Sequence, residues 1–427
     1  MNDLYDTAII GGGPAGSTAA TLLAEKGRKV VVLEREKFPR FHIGESLLPY
    51  SLSALDRLGV RGQLDAGAML KYGGEVATAC GQRSVKFYFR DGFRLKHHSA
   101  YQVERSVFDQ LLLDRAREAG AQIYEETAVE KIVFDPENVT LQTRSSSGSS
   151  TVRARYLIDA SGRNSVVGGQ LGLKVTYDHL KKFSSFAHFE HVQRDEGIDA
   201  TLTRLVRADD CWFWLIPLDD RRTSVGVVMD MADFKARRES PEAALDRAIQ
   251  QSPVMRDRMR DAVRLTPVYS AGDYSYRNAR LTGPRWMLAG DAAGFIDPIF
   301  STGVFLAIHS SEQCADAIDE ALTHPGRQAR QFRRYERGLH RLMDMYLRFV
   351  TAWYRPEFIE VFTSPTQHFQ LAPAVNAVLA GNIGSNFSIW WRMQIFYLVL
   401  FLQRYVALCP QLESETALPA TSRQRTA

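Results

Sequence analysis

The sequence predicts an α/β fold in which a Rossmann-like nucleotide-binding domain is intertwined with an antiparallel sheet and followed by a helical C-terminal region. Three observations carry this. A strand–turn–helix–strand unit containing G-x-G-x-x-G opens the chain, between Tyr5 and Glu36. Two further strand ends bearing Asp and Gly recur downstream, at Asp159–Gly162 and Gly290–Asp291. Between them, alternating runs of large apolar residues read as successive strands of a second sheet.

At 427 residues the chain is long enough for two or three domains and a sizeable core. Hydrophobic residues at 45% and charged residues at 24% give the profile of a globular protein. The net charge is only +4, without a basic stripe interleaved with aromatics, so nucleic acid is not an expected partner. Four cysteines (Cys80, Cys211, Cys314 and Cys409) lie far apart with no CxxC pair. They suggest neither a disulfide framework nor a metal site, and a reducing cytoplasm is the expected location. The opening MNDLYDTAIIGGG enters a strand at once and lacks a signal-peptide pattern.

In the first unit, Thr7–Ile10 suits a buried parallel strand, an alanine-rich helix runs to Lys26, and Gly27 caps it. KVVVLE is the second strand, ending at Glu34. Gly11 permits the tight turn, Gly13 lets backbone approach a pyrophosphate, and Gly16 lets helix and strand pack closely. Pro14 and Ala15 open the helix, whose N-terminus faces the anion. Glu34 is positioned to accept from a ribose diol, with Arg35 beside it.

RARYLIDASGRNSVVG is a strand ending at Asp159 and turning through Gly162. GPRWMLAGDAAGFIDPIFSTG is a strand, then Gly290–Asp291, then a glycine-rich turn into a helix. The latter resembles the G-D motif of flavoproteins, in which the aspartate holds the ribitol chain. Three such motifs spread along the chain fit an extended FAD better than a nicotinamide cofactor. FSSFAHFEHVQRD, TLTRLVRADDCWFWLIPL and RTSVGVVMD read as strands of the antiparallel sheet, with one more from residues 73–90. RSSSGSS, Arg144–Ser150, is a hairpin loop. SIWWRMQIFYLVLFLQRYVAL has an apolar run of only eight residues, Ile395–Leu402. A spanning helix needs roughly 18–20, so a buried helix is expected, with an interfacial helix as the alternative and no stable membrane insertion. The expected segments are 1–72, 100–175 and 270–340 for FAD, and 73–99 with 176–269 for the substrate sheet. Helices follow over 341–410, with a tail over 411–427.

Together these motifs resemble the FAD-binding fold shared by aromatic hydroxylases, geranylgeranyl reductases and flavin-dependent halogenases. FPRFHIGESLLP is similar to the G-E-x-x-x-P segment of the reductases and halogenases, which implies that Glu45 and Ser46 lie at the cofactor. YQVERSVFDQLLLDRAREAGAQIYEETAVEKI resembles the region that places an arginine near FAD, here Arg105, and Val129 against the adenine.

Two of the chain's six tryptophans occur in WFWLIP, which is similar to the halogenase signature W-x-W-x-I-P. Alternation puts Trp212 and Trp214 on one face of a strand. The resemblance implies that they wall the substrate off from the flavin; the bland alternative is a Trp-rich core strand. GFIDPIFSTG contains F-x-x-P-x-x-S-x-G as Phe295, Pro298, Ser301 and Gly303, a pattern of the same halogenases. It implies that Ser301 lies beside the flavin and that backbone N–H groups of Thr302 and Gly303 hold chloride or bromide. The simpler alternative is the flavin-binding helix start common to all relatives. Family position points to Lys71 as the lysine that holds hypohalous acid or forms a haloamine, with Lys86 and Lys96 as weaker candidates.

One departure is informative. Tryptophan halogenases carry a glutamate where this chain has Phe300. That argues against free tryptophan and toward a phenol or pyrrole, either free or on an acyl or peptidyl carrier protein. The resemblance thus implies a halogenase using O2, halide and FAD supplied reduced by a separate flavin reductase. An aromatic monooxygenase, a geranylgeranyl-reductase-like enzyme and a catalytically silent FAD-binding partner protein are the alternatives.

Overall fold

The computed structural model describes residues 4–364, 371–382 and 387–412. The tail expected beyond them, from residue 413 onward, lies outside the described residues.

Leu4–Ile10 forms the centre of an eight-stranded sheet, with Val30–Leu33 and Gly148–Asp159 parallel on either side. Gln122–Tyr124 and Trp286–Leu288 extend it in parallel. Thr7–Ile10 and Val30–Leu33 are fully buried, as a parallel sheet covered on both faces demands. One cover is the helix Pro14–Glu25, which packs on the long helix Thr302–Thr323. Small residues at this junction bring the Gly290 turn close: a Cβ at Gly290 would lie 3.0 Å from that of Ala15. The expected hairpin loop near residue 147 is tighter than read. Val139–Ser145 and Gly148–Asp159 pair through Ser145 and Gly148, so Arg144, Ser149 and Ser150 belong to the strands.

The second sheet also has eight strands and draws on distant segments. Lys182–Glu190, Arg222–Asp230, Cys211–Pro217 and Thr203–Arg207 follow one another in antiparallel pairing. Residues 73–90 supply two strands where one was expected, Gly73–Thr78 and Ser84–Tyr88. The first joins Thr203–Arg207 in parallel, so the sheet is antiparallel with one parallel seam. Both faces of Cys211–Pro217 are covered. Trp212, Trp214 and Ile216 face the core shared with the nucleotide-binding half, while Phe213 and Leu215 pack with Leu245 and Ile249 of the helix Pro241–Gln251. That double burial explains why this strand reads as an almost unbroken apolar run.

The amphipathic helix Gln328–Trp353 leads into Pro356–Phe362, Leu371–Leu379 and Phe387–Gln403. The last was expected to be buried. It buries Ile389, Met393, Phe396 and Leu400 but leaves Phe387, Trp390, Leu398 and Phe401 exposed, because its apolar residues encircle the helix. Among the described residues no helix is long and apolar enough to cross a membrane.

Candidate active site

A cavity of about 580 Å³ runs from the glycine-rich turn to the tryptophan strand. At the first end, Gly11 adopts φ +98°, and a Cβ there would lie 2.4 Å from the Ala160 carbonyl oxygen. A Cβ on Gly16 would sit 1.9 Å from the carbonyl oxygen of Gly11. Gly16 therefore serves packing and does not line the cavity, whereas Gly11, Gly13, Pro14 and Ala15 do. Among the described residues no side chain caps the helix at Gly13, which leaves its first N–H groups available to an anion.

Glu34 is buried at the cavity wall. Its Oε2 accepts from Gly12 N–H at 2.6 Å and its Oε1 from Glu36 N–H at 2.8 Å, which fixes the carboxylate for a diol. Arg35 and Val129 line the same end. Arg105 is locked by paired bonds to Asp109 (2.7 and 2.9 Å) and donates to the Ile43 carbonyl at 2.7 Å. Sequence reasoning missed Arg40. Its Nη1 is buried at this wall without a hydrogen-bond partner among the described residues, 3.4 Å from Asp109, and Nη2 approaches Gly13. A cation beside a glycine-rich helix start suits a pyrophosphate. The residues present fit a dinucleotide as long as FAD.

Asp159 corrects the sequence reading. Its carboxylate is fully buried, and its two oxygens accept from Ser161 N–H at 3.0 Å and Val167 N–H at 2.7 Å. It shapes the loop and leaves the cavity wall to Gly162 and its neighbours. Asp291 does line the cavity; burial raises its carboxyl to about 6 against the opposing charges of Arg163 and Arg105.

Pro298, Ser301 and Gly303 line the next stretch. Ser301 is left-handed at φ +57°, turning the chain sharply into the helix Thr302–Thr323. Thr302 is buried behind the wall and does not line it. Phe300 also points away, packing on Phe349 with ring centroids 4.6 Å apart and on Trp353 at 5.8 Å. No carboxylate enters from position 300.

Trp212 and Trp214 both line the cavity and are buried, with centroids 6.0 Å apart. Trp214 stands over Gly226, where a Cβ would come within 2.2 Å of the indole. Its Nε1 donates to Ser224 Oγ at 3.2 Å. Trp212 Nε1 donates to Tyr354 Oη at 3.0 Å, and Tyr354 Oη donates to Asp297 Oδ2 at 2.8 Å. Burial pushes the Asp297 carboxyl up to about 6. Asp297 was visible inside a quoted motif; Tyr354 lies far along the chain and gave no local signal.

Sheet register orders this wall. Trp212 pairs with Val228, which pairs with Ser184; Trp214 pairs with Gly226, which pairs with Phe186. Ile216 pairs with Ser224, which pairs with His188, and Thr203 lies one step beyond the Arg204–Leu215 pair. The Trp212 row thus adjoins the Asp297–Gly303 loop, the Trp214 row is central, and the third row carries Thr203 and His188.

Lys71 ends the strand Met69–Lys71 and sits behind that third row. It does not line the cavity. Its Nζ donates to Ser46 Oγ at 2.7 Å, and Ser46 Oγ lies 3.1 Å from Thr203 Oγ1; Ser46 and Thr203 are both wall residues. Burial without a carboxylate partner among the described residues pushes the amine down to about 7. Lys86, by contrast, is tied to Asp195 and Asp199, and Lys96 donates to Ser53. Neither belongs to the site. Glu45 lines the cavity and meets His188, a residue that sequence reasoning missed, at 2.6 Å.

Comparison with known proteins first defines the class: a family model described as an FAD binding domain matches residues 4–343. A 1H-pyrrole-2-carbonyl-[peptidyl-carrier protein] chlorinase of Pseudomonas fluorescens is 29% identical, over 90% of this chain and 90% of its own. The corresponding brominase of Pseudoalteromonas luteoviolacea is 32% identical, over 74% of this chain and 78% of its own. Among solved structures, a flavoprotein/dehydrogenase from Cytophaga hutchinsonii superposes with TM-score 0.87 at 27% identity, covering 94% of this chain and 99% of that one. CmlS, a flavin-dependent halogenase, does so with TM-score 0.79 at 31% identity, covering 93% and 71%. The chain belongs to the flavin-dependent halogenases. It is an FAD-dependent enzyme that halogenates an aromatic ring.

Proposed function

We propose that the substrate is an electron-rich phenol or pyrrole, and that Lys71 delivers the halogen to it. The observation that carries this reading is the buried Lys71 behind Ser46, without a carboxylate partner among the described residues, at the far end of the tryptophan face from the Asp297–Gly303 loop. When bound, reduced FAD supplies with O2 the two-electron oxidation that turns halide into hypohalous acid. The helix N-terminus at Gly303 holds the halide, its free N–H groups and dipole favouring an anion. Thr302 contributes only backbone. Trp212 and Trp214 keep the aromatic ring away from the flavin, and only the small oxidised halogen species passes them. Near pH 7 a large fraction of Lys71 is the neutral amine, able to take up that species and hold it.

Phe300 in place of a carboxylate supports a ring that is already activated. Carrier-protein delivery draws support from the pyrrolyl-carrier chlorinase and brominase. The reading includes a separate reductase supplying reduced FAD, in the cytoplasm. The test is turnover with a flavin reductase, bromide, and a panel of phenol, pyrrole, indole and carrier-tethered pyrrole, followed by mass spectrometry. Bromination of indole in preference to phenol and both forms of pyrrole would overturn the substrate class.

The wall makes its own prediction. Trp214→Ala opens the central row, and the fraction of reduced FAD that ends in brominated product falls several-fold. Hydroxylated product or free hypobromite appears instead. Unchanged product partition would remove the barrier role.

A further inference from the structure

We propose that Asn376 holds the aromatic substrate beside Lys71 by accepting a hydrogen bond from its ring N–H or O–H. This rests on the phenol-or-pyrrole reading above and deepens it. Asn376 lies on the helix Leu371–Leu379 and is 4% exposed. Its amide is half used. Nδ2 donates to the Tyr88 carbonyl at 2.6 Å, whereas Oδ1 is buried without a hydrogen-bond partner among the described residues. The first bond fixes the orientation of the amide, since a carbonyl can receive only its N–H end. Fastening the helix to Tyr88 accounts for the donor and leaves the acceptor unexplained. A buried amide oxygen without a partner is costly, so it points to a ligand that donates a hydrogen there.

Backbone connections bring this amide to the neighbourhood of Lys71. Phe89, the residue after Tyr88, donates its N–H at 2.9 Å to the carbonyl of Tyr72, the residue after Lys71. Lys71 Nζ lies 5.4 Å from the centroid of the Phe89 ring and donates to the Leu47 carbonyl at 3.4 Å. The turn that ends the Asn376 helix closes on the same place, where a Cβ at Gly381 would lie 3.6 Å from Leu48 Cδ1. Tyr346 reaches that helix too, its Oη donating to the Val378 carbonyl at 3.4 Å. Neither Asn376 nor Phe89 lines the cavity fitted to FAD. The amide therefore stands with the amine, off the flavin side of the tryptophan wall, among buried aromatic rings that suit a flat guest.

The arrangement divides two tasks. Lys71 meets the ring carbon that takes the halogen, and Asn376 meets the heteroatom, so the amide oxygen sets which carbon faces the amine. Being neutral, that oxygen takes no proton and acts through binding and orientation. Its effect belongs in KM.

The experiment compares pyrrole with N-methylpyrrole, the same two rings as 2-carbonyl thioesters on a peptidyl carrier protein, and phenol with anisole, all with bromide and reductase-supplied FAD. Methylation removes the hydrogen and leaves an electron-rich ring. In the pair that wild type uses best, kcat/KM is expected to favour the N–H or O–H ring roughly 10-fold or more. Asn376→Ala and Asn376→Leu bring that ratio to within about threefold of unity, through a higher KM for the unmethylated ring. Leucine keeps the bulk, so it separates a lost acceptor from a widened pocket. A helix that is merely displaced slows both rings alike and leaves the ratio where it was. A ratio that survives in Asn376→Leu, or in Asn376→Ala should the leucine variant not fold, overturns the role of Asn376. So does a wild type that brominates pyrrole or phenol without preferring it to the methylated ring. A wild type that brominates none of the N–H or O–H rings overturns the phenol-or-pyrrole reading itself, and the two failures are thereby told apart.

Discussion

Lys71→Met abolishes halogenation and at the same time makes the protein more stable. The activity falls roughly 10³-fold or more, in the range lost when a group acting directly on the reacting atoms is removed. FAD binding is untouched, because Lys71 lies behind Ser46 and off the cavity wall. The gain in stability follows from the same burial. Holding an amine near 7 instead of 10.5 costs the fold on the order of 4 kcal/mol at neutral pH. The sign is fixed by linkage: between pH 7 and 10.5 the unfolded chain keeps a proton that the folded chain lacks, so stability rises with pH across that window. Methionine fills similar volume without charge. It should raise the midpoint of thermal unfolding at pH 7 and flatten this pH dependence. A variant that loses activity but also unfolds more readily would show that Lys71 is a structural residue.

Gly16→Ala weakens FAD binding without touching FAD. Its Cβ would come within 1.9 Å of the Gly11 carbonyl oxygen, backbone against backbone, so the helix Pro14–Glu25 must move off the strand Leu4–Ile10. Such overpacking costs typically about 1–3 kcal/mol. Expressed in displacement of the helix N-terminus from its anion, that is roughly 10- to 100-fold in affinity. Fluorescence titration of apoprotein with FAD measures it. Affinity unchanged within twofold would mean that the turn is more pliant than its contacts imply.

The glycine turn, Glu34 and the paired tryptophans were legible in the sequence because their meaning is local: a helix start and a period of two. The location of Lys71 came from resemblance, since a single lysine carries no pattern of its own. What escaped depends on partners distant in sequence. His188 becomes significant only beside Glu45, and Tyr354 only beside Trp212 and Asp297. Asp159 misled for the opposite reason. It sits where a cofactor ligand would, but its oxygens are taken by the loop that follows it. The parallel seam between Gly73–Thr78 and Thr203–Arg207 was equally silent, as strand direction leaves no mark on alternation.

The chain Trp212–Tyr354–Asp297 fastens a strand of the second sheet, the end of a 26-residue helix and the turn after Gly290 to one another through side chains alone. The enzyme is therefore indivisible in a practical sense. A fragment ending before Tyr354, even with every nucleotide-contacting residue retained, would release the indole from its anchor. Engineers seeking a smaller catalyst, or grafting a foreign C-terminal region to change substrate, must carry that phenol and its carboxylate along.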